Sequence, residues 1–492
     1  MRAKMRTSTF TEIKTPDAAA LRLLEAGSAE KLQAVPLYID RDGRLVVAVR
    51  DPNDHAVLEE IRMLTGCSVV ACAAHEADIR RAISDFYKVA GSVEAAMQDD
   101  RYADVPILQK ETFSGELSPD DAPVVRLLDD ILDLSSTERA SDVHIEPGEQ
   151  ETKVRIRVDG VLNDGFTIPR ALHGALLARI KIKGRMDIAE KRKPQDGRIM
   201  IAKEGRQTDV RVSIVPTVHG EKAVMRLLDR AQGLRTLESL GFSEYGREQI
   251  EKIIRARNGI CLVTGPTGSG KTTTLYALLQ RLNDRRVNVV TIEDPVEYGI
   301  EGITQIQVNE KIGLTFDVLL RSVLRQDPDI IMIGEIRDGE TAQLAVRAAL
   351  TGHLVLATLH TNDAPSAAGR LIDMGVPDFL LASSLSGVVA QRLVRKLCPH
   401  CRSDFVPNGE NLSACGCRAC RMSGYIGRTV VSEVMPVDTG MRELIAASAP
   451  AHALRDYALQ NGMRAIFEDA MEKVRAGETD LREVQVLEGI GA

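Results

Sequence analysis

No uninterrupted apolar stretch in the 492-residue sequence approaches the ~20 residues that a membrane-spanning helix needs. Runs such as Ile330–Ile333 and Leu354–Leu359 are short and bounded by charged or polar residues, the pattern of buried strands. The opening MRAKMRTSTF is basic, but no apolar segment follows it, so a signal peptide is not expected. Positive charge is in deficit: 63 Lys and Arg stand against 70 Asp and Glu, a formal net charge of −7. Proteins that grip nucleic acid through its phosphates usually carry a positive face, so nucleic acid is not an expected partner, although a local basic patch stays open. Tryptophan is absent, while 44% hydrophobic and 27% charged residues are ordinary for a globular protein. Repeats and low-complexity tracts are also missing. These absences describe a cytoplasmic protein whose membrane association would run through partners or surface contacts. One core does not serve a chain of this length, and three or four domains are expected.

The fold class expected is multi-domain α/β. Residues 1–90 read as a small α/β module: Leu45–Arg50 is strand-like, Asp51–Asp54 is a turn and helix cap, a helix runs through Met63 to Gly66, and Cys67–Ala71 is again extended. Residues 91–121 have the acidic, Gly, Ser and Pro composition of a linker. A second α/β module is expected over 122–234, with a helix Val124–Arg139 and half-exposed strands Lys153–Val158 and Thr208–Ser213. Between those strands a basic helix Arg179–Lys193 is predicted, carrying seven Lys or Arg against Asp187 and Glu190. It reads as a solvated face, an intersubunit surface or a contact with anionic lipid. Over 235–396 apolar strands alternate with amphipathic helices, the signature of a parallel sheet with crossover helices. A cysteine insert (397–436) and a helical region (437–492) complete the division.

The chemistry concentrates in the fourth segment. Gly265, Pro266, Thr267, Gly268, Ser269 and Gly270, followed by Lys271 and Thr272, fit G-x-x-x-x-G-K-[ST] between an apolar strand, Ile260–Val263, and a helix, Thr272–Leu282. Glycines let backbone N–H groups wrap a phosphate, and the helix N-terminus adds partial positive charge. Lys271 would reach the β and γ phosphates of ATP, Thr272 would ligate Mg²⁺, and Thr273 completes the nucleotide-binding set. Asp329-Ile-Ile-Met-Ile-Gly-Glu335 is an apolar strand ending in an acid suited to the Mg²⁺. Val289–Glu293 runs into Asp294 and Glu297, and a further strand is framed by His353 and His360. A single acid or histidine there is as a rule structural; convergence on one sheet edge points to function.

Cys398-Pro-His-Cys401 and Cys417-Arg-Ala-Cys420 lie 15 residues apart, a zinc-ribbon-like spacing. Four thiolates close the coordination of Zn²⁺ and imply a structural site. His400 and Cys415 are further candidate ligands.

GPTGSGKT, TIEDPVE, DPDIIMIGEIRD and TGHLVLATLHTNDA, in that order, resemble the Walker A, aspartate, Walker B and histidine boxes of the secretion-ATPase superfamily. ASDVHIEP, PQDGR, GYIGR and NGMRAIFEDAMEKV extend the likeness over residues 120–492. The resemblance implies a RecA-like P-loop core, a PAS-like second module and an ATP hydrolase that powers pseudopilus assembly in type II secretion, with type IV pilus extension as the alternative. A DNA-translocating motor and a nucleotide-gated scaffold are readings from other classes. It also implies that Glu297 is the general base supported by Glu293 and Asp294, that Glu335 holds Mg²⁺, and that His360 reads the nucleotide state. Arg198, Arg211, Arg321 and Arg325 match arginines used around the γ phosphate. Implied partners are five further copies in a homo-hexamer, the cytoplasmic domain of a bitopic inner-membrane protein docked on the first module, and a polytopic platform protein. The motor would then be associated peripherally with the inner membrane. The glycine-and-leucine motif by which some relatives bind a cyclic dinucleotide is not found in residues 1–90.

Overall fold

A computed structural model describes residues 16, 18–21, 23–40, 43–83, 86–87, 92, 123–203, 206–229, 235–256, 258–402, 414, 416–420 and 423–488. The expected linker 91–121, apart from Ser92, lies outside them, as does Cys415. The chain divides into two compact units, Met1–Ala231 and Gln232–Ala492.

The first unit holds two sheets. Strands β1 (Ala34–Ile39), β2 (Leu45–Val49) and β3 (Val69–Ala73) form the smaller. The helix His55–Thr65 crosses over between β2 and β3, which are parallel. Asp54 starts that helix by accepting from the amides of Ala56 and Val57 at 3.1 and 3.2 Å, and Gly66 stops it at φ 67°. The larger sheet comprises β4 (Asp142–Pro147), β5 (Glu151–Val158), β6 (Val161–Pro169), β7 (Gln195–Lys203), β8 (Arg206–Thr217) and β9 (Gly220–Asp229), ordered β6-β5-β4-β9-β8-β7 and antiparallel throughout. Alternation of period two separates its faces. Val143, Ile145, Val154, Val210, Val212 and Met225 share one core with Leu128 and Ile131 of the helix Pro123–Thr137 and Leu176 and Ile180 of the helix Arg170–Lys183.

The basic helix predicted over Arg179–Lys193 is not continuous. It ends at Lys183, and residues 184–194 form turns and irregular backbone. Asp187 accepts from the Ala189 amide at 2.8 Å, an alternative to the helical ladder. Lys181 is not on a solvated face either. It is 1% exposed, paired with Glu221 at 2.7 Å and donating to the Glu190 carbonyl at 2.7 Å.

The second unit is built on β10 (Gly259–Thr264), β11 (Val289–Glu293), β12 (Thr304–Gln307), β13 (Ile330–Ile333), β14 (Leu354–Leu359), β15 (Leu385–Leu397) and β16 (Tyr425–Pro436), ordered β12-β11-β13-β14-β10-β15-β16. All neighbours are parallel except β15 and β16. Every residue of β10 is buried: Ile260 and Leu262 enter the core on one face, and Cys261 and Val263 the core on the other. That double coverage explains why its sequence reads as an unbroken apolar run. Residues 425–436, grouped by sequence with the cysteine insert, form the edge strand of this sheet. Seven consecutive buried positions, Val430 to Val434 with their neighbours Thr429 and Met435, tie them to it. The last helices are Thr439–Ala446, Ala451–Gln460, Ile466–Arg475 and Leu481–Gln485. Among the described residues no helix is long and apolar enough to cross a membrane.

Candidate functional site

The loop Gly265–Gly270 leaves β10 and enters the helix Lys271–Leu282. Gly265 sits at φ 142°, and a Cβ there would meet the Gln391 carbonyl at 2.4 Å and Ser269 Oγ at 2.6 Å, so only glycine fits. Gly270, at φ 88°, occupies the N-cap position without a side-chain cap, so the first helical amides stay available to a ligand. Ser269 Oγ and Thr264 Oγ1 are buried without a hydrogen-bond partner among the described residues. Lys271 Nζ donates to the carbonyls of Gly265 at 2.9 Å and Pro266 at 3.1 Å. Burial holds its amine below the ordinary lysine range; Glu335 opposes that shift and Arg392 adds to it. Thr272 is exposed in the first turn. Open amides, two orphaned hydroxyls and a desolvated lysine are what a nucleotide phosphate with Mg²⁺ would satisfy.

Beside the loop, Glu335 follows β13. His360 Nε2 lies 3.0 Å from Glu335 Oε1, and Arg337 Nη2 lies 3.0 Å from Oε2. Burial pushes the carboxyl up, but the Arg337 guanidinium, with His360, outweighs it and holds the group below the ordinary carboxylate range. Arg337 also approaches Asp294 at 3.8 Å. Walker B acid, histidine box and aspartate box are thus linked directly or through one arginine, and Arg337, within the quoted DPDIIMIGEIRD, was given no role by sequence.

Glu293 and Glu297 have different surroundings. Glu293 is 3% exposed, and its carboxylate accepts from Tyr276 Oη, from Thr291 Oγ1 at 2.5 Å and from Gln305 Nε2 at 3.1 Å. It is a saturated acid inside the core. The Glu297 amide donates to Tyr276 Oη at 3.2 Å, while its side chain lies in a half-buried turn. Tyr276 therefore fastens the aspartate-box turn to the phosphate-loop helix, packed edge-on to Tyr298 with ring centroids 4.7 Å apart. Gln391 on β15 performs a similar service: it donates to the Ser269 carbonyl at 2.8 Å and accepts from Thr274 Oγ1 at 2.9 Å. Neither residue carried a sequence signal of its own.

The four arginines are divided between the two units. Arg321 lies on the helix Phe316–Val323 and pairs with Glu340, and Arg325 donates to the Arg321 carbonyl at 2.8 Å. Arg198 and Arg211 face each other across β7 and β8 in the other unit, where Arg198 Nε grips buried Asp209 at 2.6 Å.

Cys398, Cys401, Cys417 and Cys420 converge, with all four sulfurs within 4.8 Å of one another. Cys398–Cys417 and Cys401–Cys420 are each 3.6 Å apart and Cys417–Cys420 3.8 Å. A tetrahedron with metal–sulfur arms of about 2.3 Å has edges of about 3.8 Å, so the set fits a tetrathiolate ion. His400 is exposed and outside the cluster.

Comparison with known proteins places the chain in a family. Residues 118–486 match the type II/IV secretion system protein family, and residues 12–93 match the MshEN domain. Type II secretion system protein HxcR of Pseudomonas aeruginosa is 49% identical over 89% of this chain and 88% of its own length. Type IV pilus assembly ATPase PilB of Myxococcus xanthus is 42% identical, covering 94% and 86%. Among solved structures, the Legionella pneumophila ATPase DotB shares the fold at TM-score 0.58 and 21% identity over 77% of this chain and 98% of that one. The pilus retraction motor PilT with bound ADP aligns at TM-score 0.51 and 25% identity over 73% and 96%. By sequence over most of its length, and by a phosphate loop set against clustered acids, this chain belongs to the type II/IV secretion system protein family and is one of its ATPases.

Proposed function

We propose that the chain is the cytoplasmic motor that hydrolyses ATP to power pseudopilus assembly and protein export in type II secretion. The observation carrying this reading is the cluster of Glu335, His360 and Arg337 at the strand ends beside the Lys271 loop. Glycines 265, 268 and 270 and Lys271 bind the phosphates, while Thr272 and Glu335 hold Mg²⁺, which supplies charge neutralisation when bound. Glu297 orients and deprotonates the attacking water, and Glu293, through Tyr276, keeps the Glu297 turn in place. Asp294 and His360 report through Arg337 and Glu335 on what occupies the site. Arg198 and Arg211 from one unit, with Arg321 and Arg325 from the other, compensate phosphoryl charge as units and neighbouring copies of a homo-hexamer close. The first module docks on a bitopic inner-membrane protein, and the ring works on a polytopic platform protein. The four cysteines hold Zn²⁺ as a structural ion. The second reading, type IV pilus extension, has the likeness to PilB behind it.

Glu297→Gln should keep nucleotide binding while turnover falls about tenfold or more, and Lys271→Ala should lose binding. Equal, near-zero turnover in parent and Glu297→Gln would support a nucleotide-gated scaffold; DNA-stimulated turnover with a steep salt dependence would support a DNA motor. Deleting the gene separates the other two readings, since retained exoproteins with intact pili support secretion and lost pili support extension.

A further inference from the structure

Strands β14 and β15 flank β10: Thr264, the residue before the phosphate loop, is in register with Leu359 on one side and Ala390 on the other. The residues that follow, His360 to Asn362 and Gln391 to Arg392, therefore border the loop from opposite sides. Gln391 is committed to bracing the loop. Arg392 Nη2 donates to Asn362 Oδ1 at 3.1 Å, joining the two borders across the loop's start.

The guanidinium is half-buried, and its burial disfavours the charged form. Among the described residues its hydrogen-bond partner is that neutral amide, not a carboxylate. Lys271, whose own charge Arg392 disfavours, hydrogen-bonds two loop carbonyls among the described residues. Two arginines of the unit that are also half-buried do have acids: Arg395 has Glu483 at 2.6 Å, and Arg455 has Asp363 at 3.4 Å. Glu335 acts on Lys271 from a distance, but among the described residues no carboxylate is hydrogen-bonded to either cation, so this partly desolvated place suits a ligand that brings negative charge.

We propose that Arg392 binds the terminal phosphate of the nucleotide, leaving Asn362 for γ-phosphate oxygens when ATP is present and returning to it when ADP remains. This rests on the nucleotide-site reading above. Loop amides and Lys271 serve the phosphates common to both nucleotides. A planar fork held in reserve by one neutral hydrogen bond is easily given up for an anion. Because Asn362 follows His360 by two residues, its release carries the phosphate state into the histidine-box segment.

The test measures dissociation constants for ADP and for a non-hydrolysable ATP analogue on the full-length protein. Arg392→Gln should weaken the analogue about tenfold or more while ADP binding stays within about twofold. Arg392→Lys should fall between parent and Arg392→Gln, and it decides by the same ratio if Arg392→Gln does not fold. Asn362→Ala should leave both affinities near the parent, since Asn362 only holds the arginine at rest. The proposal fails if Arg392→Gln weakens both nucleotides alike or neither, or if Asn362→Ala reproduces it. Lys271→Ala is the control: parental nucleotide binding in that variant overturns the site itself, whatever Arg392 does.

Discussion

Tyr276→Phe isolates one oxygen atom. Tyr276 Oη donates to Glu293 and accepts from the Glu297 amide at 3.2 Å, so the variant removes one of the three donors seen on a buried carboxylate and an acceptor from the turn that carries the general base. A hydrogen bond to a charged buried group is worth about 1.5–3 kcal/mol, so the second unit should lose that much stability. The ring and its edge-on contact with Tyr298 stay, so no cavity term is added. Turnover should suffer more than binding, because a displacement of about 1 Å of a positioned group costs about a hundredfold, whereas Tyr276 contacts none of the loop amides or Lys271 in the hydrogen bonds described. Steady-state ATPase rates, nucleotide dissociation constants and a denaturant titration on the same preparation would measure all three. A variant that hydrolyses ATP at the parental rate with parental stability would refute the idea that this hydroxyl fastens the aspartate box to the phosphate-loop helix. A proportional loss of nucleotide affinity and rate would refute the separation of binding from positioning.

Lys181→Ala should destabilise the first unit by about 3–5 kcal/mol, since it strands Glu221 in the core; denaturant melting of the full chain checks this, and a surface-like change under 1 kcal/mol would contradict it. Reduced protein should carry one zinc per chain, and Cys401→Ser should lose metal and lower the melting temperature, since the cysteines join the ends of β15 and β16 where the Cys398 amide donates to the Gly424 carbonyl at 2.8 Å. Substoichiometric metal in carefully reduced protein would count against the ion. Glu335 has a folded-state pKa below its unfolded value of about 4.3, so its contribution is present above that value and is lost as pH falls through the lower folded one. Glu335→Gln should therefore flatten the acid limb of the stability curve below about pH 4.3, and an unchanged acid limb would show that Arg337 and His360 do not hold the charge in solution.

The phosphate loop was readable because its information is contiguous. Strand, glycine turn, lysine and helix follow within about 25 residues, and each step is a local preference of backbone and side chain. The acid- and histidine-tipped strands were readable for a related reason: parallel strands deliver their C-terminal ends to one edge, so a residue's place at the end of an apolar run predicts where it arrives. The same local reasoning failed between Lys183 and Pro194. A run of like charges suggested one helix, but Gly184 and the Asp187 turn end it locally, and the burial of Lys181 against Glu221 is decided by a residue distant in sequence. It failed again after the cysteines, where the apolar segment Tyr425–Pro436 returns to the main sheet beside β15.

Sequence alone determined the chemistry on offer: a phosphate-gripping turn, acids and a histidine at strand ends, and four thiols at metal-binding spacing, since each is a pattern over neighbouring residues. Only the tertiary structure decided which side chains share that chemistry. Gln391 and Arg392 stand at the loop because β15 lies beside β10, and Tyr276 of the phosphate-loop helix reaches Glu293 at the end of β11. Such pairings follow from how buried faces fit together, and no stretch of neighbouring residues encodes them.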